Sequence, residues 1–173
     1  VQEIVGIIPY TSIAQIIHTN DIPCNFPATI CNLIPLHNRE EGTRKKRKVN
    51  TQERKLKSCL ADTGAVQANY ISIRLAKKLV SKYNVSITPT QLAVKTAIRG
   101  SAIKQCLGSI SIDISIRNEL TNADETISIT ALIIDTDYDL IIGRPTIREH
   151  GLLTKCHNQI LYGGNPKQWP NNE

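Results

Sequence analysis

Two stretches of alternating isoleucine limit what this chain can fold into. "SISIDISIR", residues 109–117, places Ile110, Ile112, Ile114 and Ile116 on one face of an extended backbone, and "TISITALII", residues 126–134, does the same with Ile127, Ile129, Ala131 and Ile133. A period of two buries one face and wets the other, which describes a half-buried β-strand and not a helix. The polar "NELTNADE" between them joins the two into an antiparallel hairpin. The whole chain of 173 residues has one Phe and one Trp, so the core is expected to be a sheet filled by branched aliphatic side chains.

Other segments extend this pattern. "QLAVKTAIRGSAIKQCLG", residues 91–108, reads as a second hairpin turning near Gly100-Ser101, where glycine supplies left-handed backbone. "FPATICNLIPL" (26–36) and "KLKSCLA" (55–61) read as partners in a third hairpin whose connection, 37–54, is enlarged. Closure entropy rises slowly with loop length, so the fold tolerates such an insertion. "CHNQILY", 156–162, reads as a closing strand. Two segments are helical in pattern. From residue 71 to 83, Ile71, Leu75, Ala76, Leu79, Val80 and Tyr83 recur at spacings of three and four, with Lys77, Lys78 and Lys82 outside. In "RPTIREHG", Pro145 suits a first helical turn and Gly151 a C-terminal stop. The expectation is an all-β, mostly antiparallel domain over residues 25–163 with one or two short helices. Residues 1–24 show no clear period and stay unassigned, and 164–173 form a polar tail.

The net charge of +6 has one source. Between Arg39 and Lys57 nine Lys/Arg face three Asp/Glu, and the rest of the chain is balanced. At the centre Arg44, Lys45, Lys46, Arg47 and Lys48 are consecutive. Five adjacent cations repel one another and cannot be buried, so this is a solvated loop. It could serve as a nuclear import signal or a weak contact to nucleic-acid phosphates, or simply aid solubility. No aromatic is interleaved with it, so base stacking is not indicated.

The five cysteines (24, 31, 59, 106, 156) form no C-x-x-C pair, which fits a reduced, intracellular compartment. His18, Cys24, Cys31 and His37 are spaced too widely for a zinc finger or knuckle. No metal or cofactor is expected. No apolar run reaches the length of a membrane span, and the chain does not open on a secretory signal.

"CLADTGAVQANYIS", residues 59–72, sets Asp62 where a strand meets a small-residue turn. Asp-Thr-Gly alone is a common turn sequence. Some eighty residues later, however, "DYDLIIGRPTIREHGL" (137–152) places two isoleucines, a glycine and an arginine ahead of a short helix. This order resembles the retropepsin-like aspartic peptidases of retroviruses and long-terminal-repeat retrotransposons, over roughly Phe26 to Gly163. The resemblance implies an acid-protease fold, a closed-barrel-like half of a two-fold dimer. Asp62 would be catalytic. The Thr63 hydroxyls would bond across the dimer, Gly64 would touch substrate through its backbone, and Ala65 would complete the loop. Ile141, Ile142, Gly143 and Arg144 would pack against that loop. A flap with Ile98, Arg99, Gly100, Ser101 and Ala102 at its tip would cover the substrate. Three features depart from the family pattern. Val66 and Gln67 stand where many relatives carry an acidic partner for Arg144, the flap has one glycine, and the basic run occupies a position that is usually a short turn.

No second Asp-Thr/Ser-Gly occurs in the chain. The resemblance therefore implies that two Asp62 carboxylates, one per subunit, meet on the axis of a homodimer. Two carboxylates so close cannot both ionise cheaply, so one keeps a proton. The ionised member would take a proton from water while the other donates to the scissile carbonyl. The expected function is an endopeptidase acting on a retroelement or viral polyprotein, in the cytoplasm, nucleus or a virus-like particle. The alternative is a catalytically inactive, retroelement-derived binding or dimerisation module that uses the basic loop. A ubiquitin-linked peptidase of the DNA-damage-inducible type shares the fold, but nothing ubiquitin-like is visible in these residues.

Overall fold

A computed structural model describes residues 3–8, 25–36, 50–96 and 104–170. Its strands are, along the chain, β1 (Glu3–Ile8), β2 (Thr29–Leu33), β3 (Gln52–Lys55), β4 (Cys59–Asp62), β5 (Asn69–Ser72), β6 (Ile87–Thr88), β7 (Leu92–Thr96), β8 (Lys104–Gln105), β9 (Ser109–Asn118), β10 (Ala123–Ile134) and β11 (Leu140–Gly143). Helix α1 (Ile73–Lys82) follows β5, and α2 (Arg144–Glu149), α3 (Leu152–Lys155) and α4 (His157–Tyr162) follow β11. The molecule is mostly β, with a sheet curled into a half-barrel and a few short helices.

The isoleucine hairpin is the spine of the larger sheet. β9 and β10 pair antiparallel from Asn118↔Ala123 to Ser109↔Leu132, and Ile110, Ile112, Ile114, Ile116, Ile127 and Ile129 are all buried on the expected face. Around this pair the order is β3-β2-β9-β10-β5-β11-β4, with β6 also on β9. Most pairings are antiparallel, but β10 with β5 and β11 with β4 are parallel. The segment leading into β2 is tied to β4, at one end of the sheet. Phe26 N–H donates to the Cys59 carbonyl at 2.8 Å, and Asn25 holds Cys59 N–H and the Lys57 carbonyl with its amide. The enclosed core is aliphatic, with Phe26 and Tyr83 its aromatic members.

A second sheet, β1-β7-β8, contains both arms of the expected flap hairpin, with Ala93↔Gln105 and Val94↔Lys104 in register. Its tip, Ile98 to Ala102, lies outside the described residues, as does the basic run Arg44 to Lys48. The upstream segment without a visible period supplies β1, which pairs parallel with β7.

Three local expectations are corrected. The run 55–61 is not one strand. Lys55 ends β3, which pairs with β2, and Cys59 begins β4, which pairs with β11. Between them buried Leu56 donates its N–H to Ala28, so the chain turns from one sheet end to the other. The helical pattern from Ile71 starts later, at Ile73, because Ser72 ends β5 and caps the helix, accepting Leu75 N–H at 3.1 Å. The expected closing strand 156–162 is helix α4. The Glu119 carboxylate accepts the Asn158 and Gln159 backbone N–H groups and both side-chain amides. Backbone donors at a helix start suit a carboxylate, whereas a strand would need a ladder partner. The expected polar tail turns back at Pro166–Gln168, and Trp169 Nε1–H donates to the Gly163 carbonyl at 2.8 Å. Among the described residues, no helix is long and apolar enough to cross a membrane.

Candidate active site

Asp62 is the last residue of β4 and only 7% exposed. The chain reverses immediately after it. Ala65 N–H donates to the Asp62 carbonyl at 3.1 Å, closing a tight turn, and Gly64 N–H donates to Asp62 Oδ1 at 2.9 Å. The carboxylate is thus oriented by its own turn, as short acidic side chains often are. Ala65 is fully buried, while Thr63, Val66 and Gln67 are exposed. The loop therefore holds its aspartate inside and presents small polar and apolar groups outside.

The second motif supports this turn from below. β11 runs parallel beside β4, in register Leu140↔Cys59 through Gly143↔Asp62. Ile142 points into the main core, and Ile141 into a second cluster with Ala65, Tyr70, Val94, Cys106, Leu132 and Ile134. That cluster joins the aspartate turn to the β7–β8 pair. A Cβ on Gly143 would overlap the Ala68 carbonyl oxygen and approach the Ala65 oxygen to 2.9 Å. Close approach, not an unusual φ, is what requires glycine here. Arg144 then fastens the loop twice: its backbone N–H donates to the Ala65 carbonyl at 2.8 Å, and its Nε donates to the Thr63 carbonyl at 2.6 Å. With uncharged Val66 and Gln67 beside the turn, the side-chain partner of Arg144 is a loop carbonyl.

Asn69 was not singled out from sequence, yet it ties three strands together. Its Oδ1 accepts Gly143 N–H at 2.8 Å and its Nδ2 donates to the Thr130 carbonyl at 3.1 Å. The available signal was a polar residue opening "NYIS", a strand buried at all four positions.

The other aspartates follow β10 as expected, but Asp139 serves another purpose. Its Oδ2 accepts Lys57 N–H and its backbone N–H donates to Ser58 Oγ, at the start of β4 and β11. That end is three residues of strand, about 10 Å, from Asp62. Asp135 and Asp137 are exposed on the β10–β11 loop.

The surroundings of Asp62 are apolar on one side. Burial pushes the Tyr138 hydroxyl up to about 12, with the charges of Asp62 and Asp137 adding to the shift. Burial does the same to Tyr70, also to about 12, with Cys106 and Asp62 contributing. Both hydroxyls are buried without a hydrogen-bond partner among the described residues. Both phenols therefore stay neutral at physiological pH. The expected flap-tip residues lie outside the described residues, so the described site consists of the aspartate turn, its β11 support and the β7–β8 pair beside it. No family model, curated protein or solved structure matches this chain.

Proposed function

We propose that this chain is an aspartic endopeptidase of the retropepsin type, active as a homodimer. The observation that carries the reading is the docking of one motif on the other: Asp62 beside Gly143, with Arg144 bound to the Thr63 and Ala65 carbonyls. Two segments some eighty residues apart in sequence are brought into one small assembly around a buried carboxylate. A turn aspartate with a merely local role has no need of that support.

One carboxylate per chain is half of the required pair. The exposed Thr63, Val66 and Gln67 border Asp62, and a second copy placed on that edge brings two Asp62 groups together. In the pair, repulsion keeps one carboxyl protonated. The ionised partner removes a proton from water as the water attacks the peptide carbonyl, and the protonated partner donates to the carbonyl oxygen. Collapse of the tetrahedral intermediate expels the amine, and no acyl-enzyme forms. The fixed turn keeps the carboxylates in position, which is where most of the rate advantage of such a site arises. The substrate is a polypeptide, and processing of a retroelement or viral polyprotein is the role that the family resemblance favours.

The test is hydrolysis of a peptide library by the parent protein and by Asp62→Asn. Cleavage by the parent that disappears in the variant supports the reading. Equal cleavage by both overturns it by excluding Asp62 as the acid–base group, and none by a folded and dimeric parent overturns it in favour of a binding module.

A further inference from the structure

We propose that a basic cleft between the β3–β4 turn and helix α1 binds the phosphate backbone of nucleic acid, independently of the peptidase reading. The cleft encloses about 150 Å³. Arg54, Lys55, Lys57, Arg74 and Lys78 line it, against one carboxylate, Asp139, which already accepts the Lys57 N–H. Helix α1 continues the charge along its outer face, where Arg74, Lys77, Lys78 and Lys82 are exposed, and its ten residues contain no acid. Arg74 and Lys78, and again Lys78 and Lys82, stand four residues apart, a spacing at which like charges destabilise a helix.

Among the described residues Asp139 is the one carboxylate lining the cleft, and no ion pair relieves the crowding of its cations. The ion pairs there are Arg117–Asp124, His150–Glu149 and Lys155–Glu125, none of which involves a cleft cation. A concentrated field of five cations against one carboxylate, on two packed elements, suits an external polyanion.

The ligand class follows from what else the cleft lacks. None of its lining residues is aromatic, and its one aliphatic, Leu75, is buried. A membrane surface is held by apolar anchors as well as charge, and base recognition uses stacking platforms. Neither is present here. What the cleft can read is closely spaced backbone charge, which gives sequence-independent, salt-sensitive binding.

The test follows binding of a labelled oligouridylate 20-mer by fluorescence anisotropy over a salt series. The starting protein is the full chain with Arg44–Lys48 replaced by Ser/Gly, which isolates the cleft from the run. Arg74→Gln with Lys78→Gln is the first cleft variant, chosen because glutamine preserves helix propensity. Lys55→Gln with Lys57→Gln, on the other wall, is the second. Arg148→Gln with Lys167→Gln, exposed positions outside the cleft, removes the same charge as a control. The run-replaced protein is expected to bind, and each cleft variant to lower the log–log salt slope by about 0.7 per cation lost. The control should leave the slope unchanged. Loss of binding with the run alone overturns the proposal, as does an equal effect of control and cleft variants. Tighter binding to anionic phosphatidylserine vesicles or polyglutamate than to the oligonucleotide also overturns it and assigns the cleft to a membrane or an acidic polypeptide.

Discussion

Gly143 and Asp62 are register partners across the parallel pairing of β11 with β4. Their side-by-side placement leaves no room for a side chain at residue 143, because the Ala68 and Ala65 carbonyls close over it. Backbone atoms cannot move aside as a flexible side chain can. Gly143→Ala should therefore destabilise the fold by about 3–5 kcal/mol, at the severe end of single substitutions. Gly151 offers the contrast. Its φ of +61° disfavours alanine, but a Cβ there meets nothing within 4 Å. Gly151→Ala should cost only about 1–2 kcal/mol, the strain of a left-handed residue. Urea unfolding of both variants checks the ranking, and a Gly143→Ala protein as stable as the parent would mean that β11 does not lie against the aspartate turn.

Asp62→Asn preserves the shape of the site and removes its proton chemistry. Asparagine can still accept the Gly64 N–H that now binds Oδ1 at 2.9 Å. Peptide hydrolysis should fall by about two orders of magnitude or more, with the fold intact. Stability of the dimer should stay level or rise, since two facing carboxylates repel. Activity is read with the best peptide from the library and stability by thermal melting. A variant that retains parent-like turnover excludes Asp62 as the acid–base group.

Arg144 links the two motifs through a planar donor. Its Nε reaches the Thr63 carbonyl at 2.6 Å, while its backbone bond to Ala65 does not depend on the side chain. Lysine keeps the charge but not the in-plane donor. Arg144→Lys should loosen the Thr63 end of the turn and lower kcat by about tenfold or more, as small displacements of catalytic groups do. Stability should change by less than about 1 kcal/mol, because the residue is exposed. A large loss of stability with unchanged kcat would make Arg144 a structural residue only.

What was legible in the sequence is the part governed by local rules. The period-two isoleucines gave β9 and β10 with the correct buried face, and Pro145 and Gly151 bracketed α2 and its stop. The aspartate turn was visible as Asp-Thr-Gly-Ala, and its second support as Ile141 to Arg144. The failures share a different cause. α4 depends on Glu119, some forty residues away, and alternation in "CHNQILY" carries no trace of that carboxylate. The split between β3 and β4 depends on Ala28 and Asn25 binding opposite sides of one short turn. Asn69 escaped notice because its value lies in bonds to β10 and β11, not in its neighbours. Long-range hydrogen bonds decide these elements, and single-sequence patterns do not record them.

The capture of Glu119 by α4 has a consequence for acid stability. Burial raises the Glu119 carboxyl, but hydrogen bonds from Gln159 and Asn158 outweigh it and hold the group below its usual range. Asp113 is also lowered, chiefly by the Ser128 hydroxyl at 2.6 Å and by Asn32 at 2.9 Å. A carboxyl whose folded pKa is depressed adds stability above its unfolded value, near 4, and loses it as pH falls through the folded value. The protein should accordingly weaken as pH drops below about 4. Glu119→Gln should lower neutral stability by about 1–3 kcal/mol and flatten that acid dependence. Thermal melts of both proteins across pH decide it, and parallel curves would show that Glu119 does not stabilise α4 as a carboxylate.

The decisive question for the proposed chemistry is where the second carboxylate resides. Asp139 is engaged at the far end of β4 by Lys57 and Ser58, and Asp135 and Asp137 are exposed on a loop. On the proposed reading the pair is completed by Asp62 of a second chain, and the dimer alone would be active. Specific activity should fall on dilution once the concentration drops below the dissociation constant, because mass action sets the dimer population. Mixing the parent with excess Asp62→Asn chains, with time for exchange, should suppress activity by placing parent subunits in heterodimers with one normal aspartate. The kcat/KM profile should be bell-shaped in pH, with two apparent pKa values that belong to the pair and not to either residue. Dilution series, mixing and pH profile can be run with one peptide substrate. A monomer that stays fully active at high dilution and is indifferent to the mutant chain would place the second carboxylate in the same chain, and Asp137 and Asp135 would be the first substitutions to make.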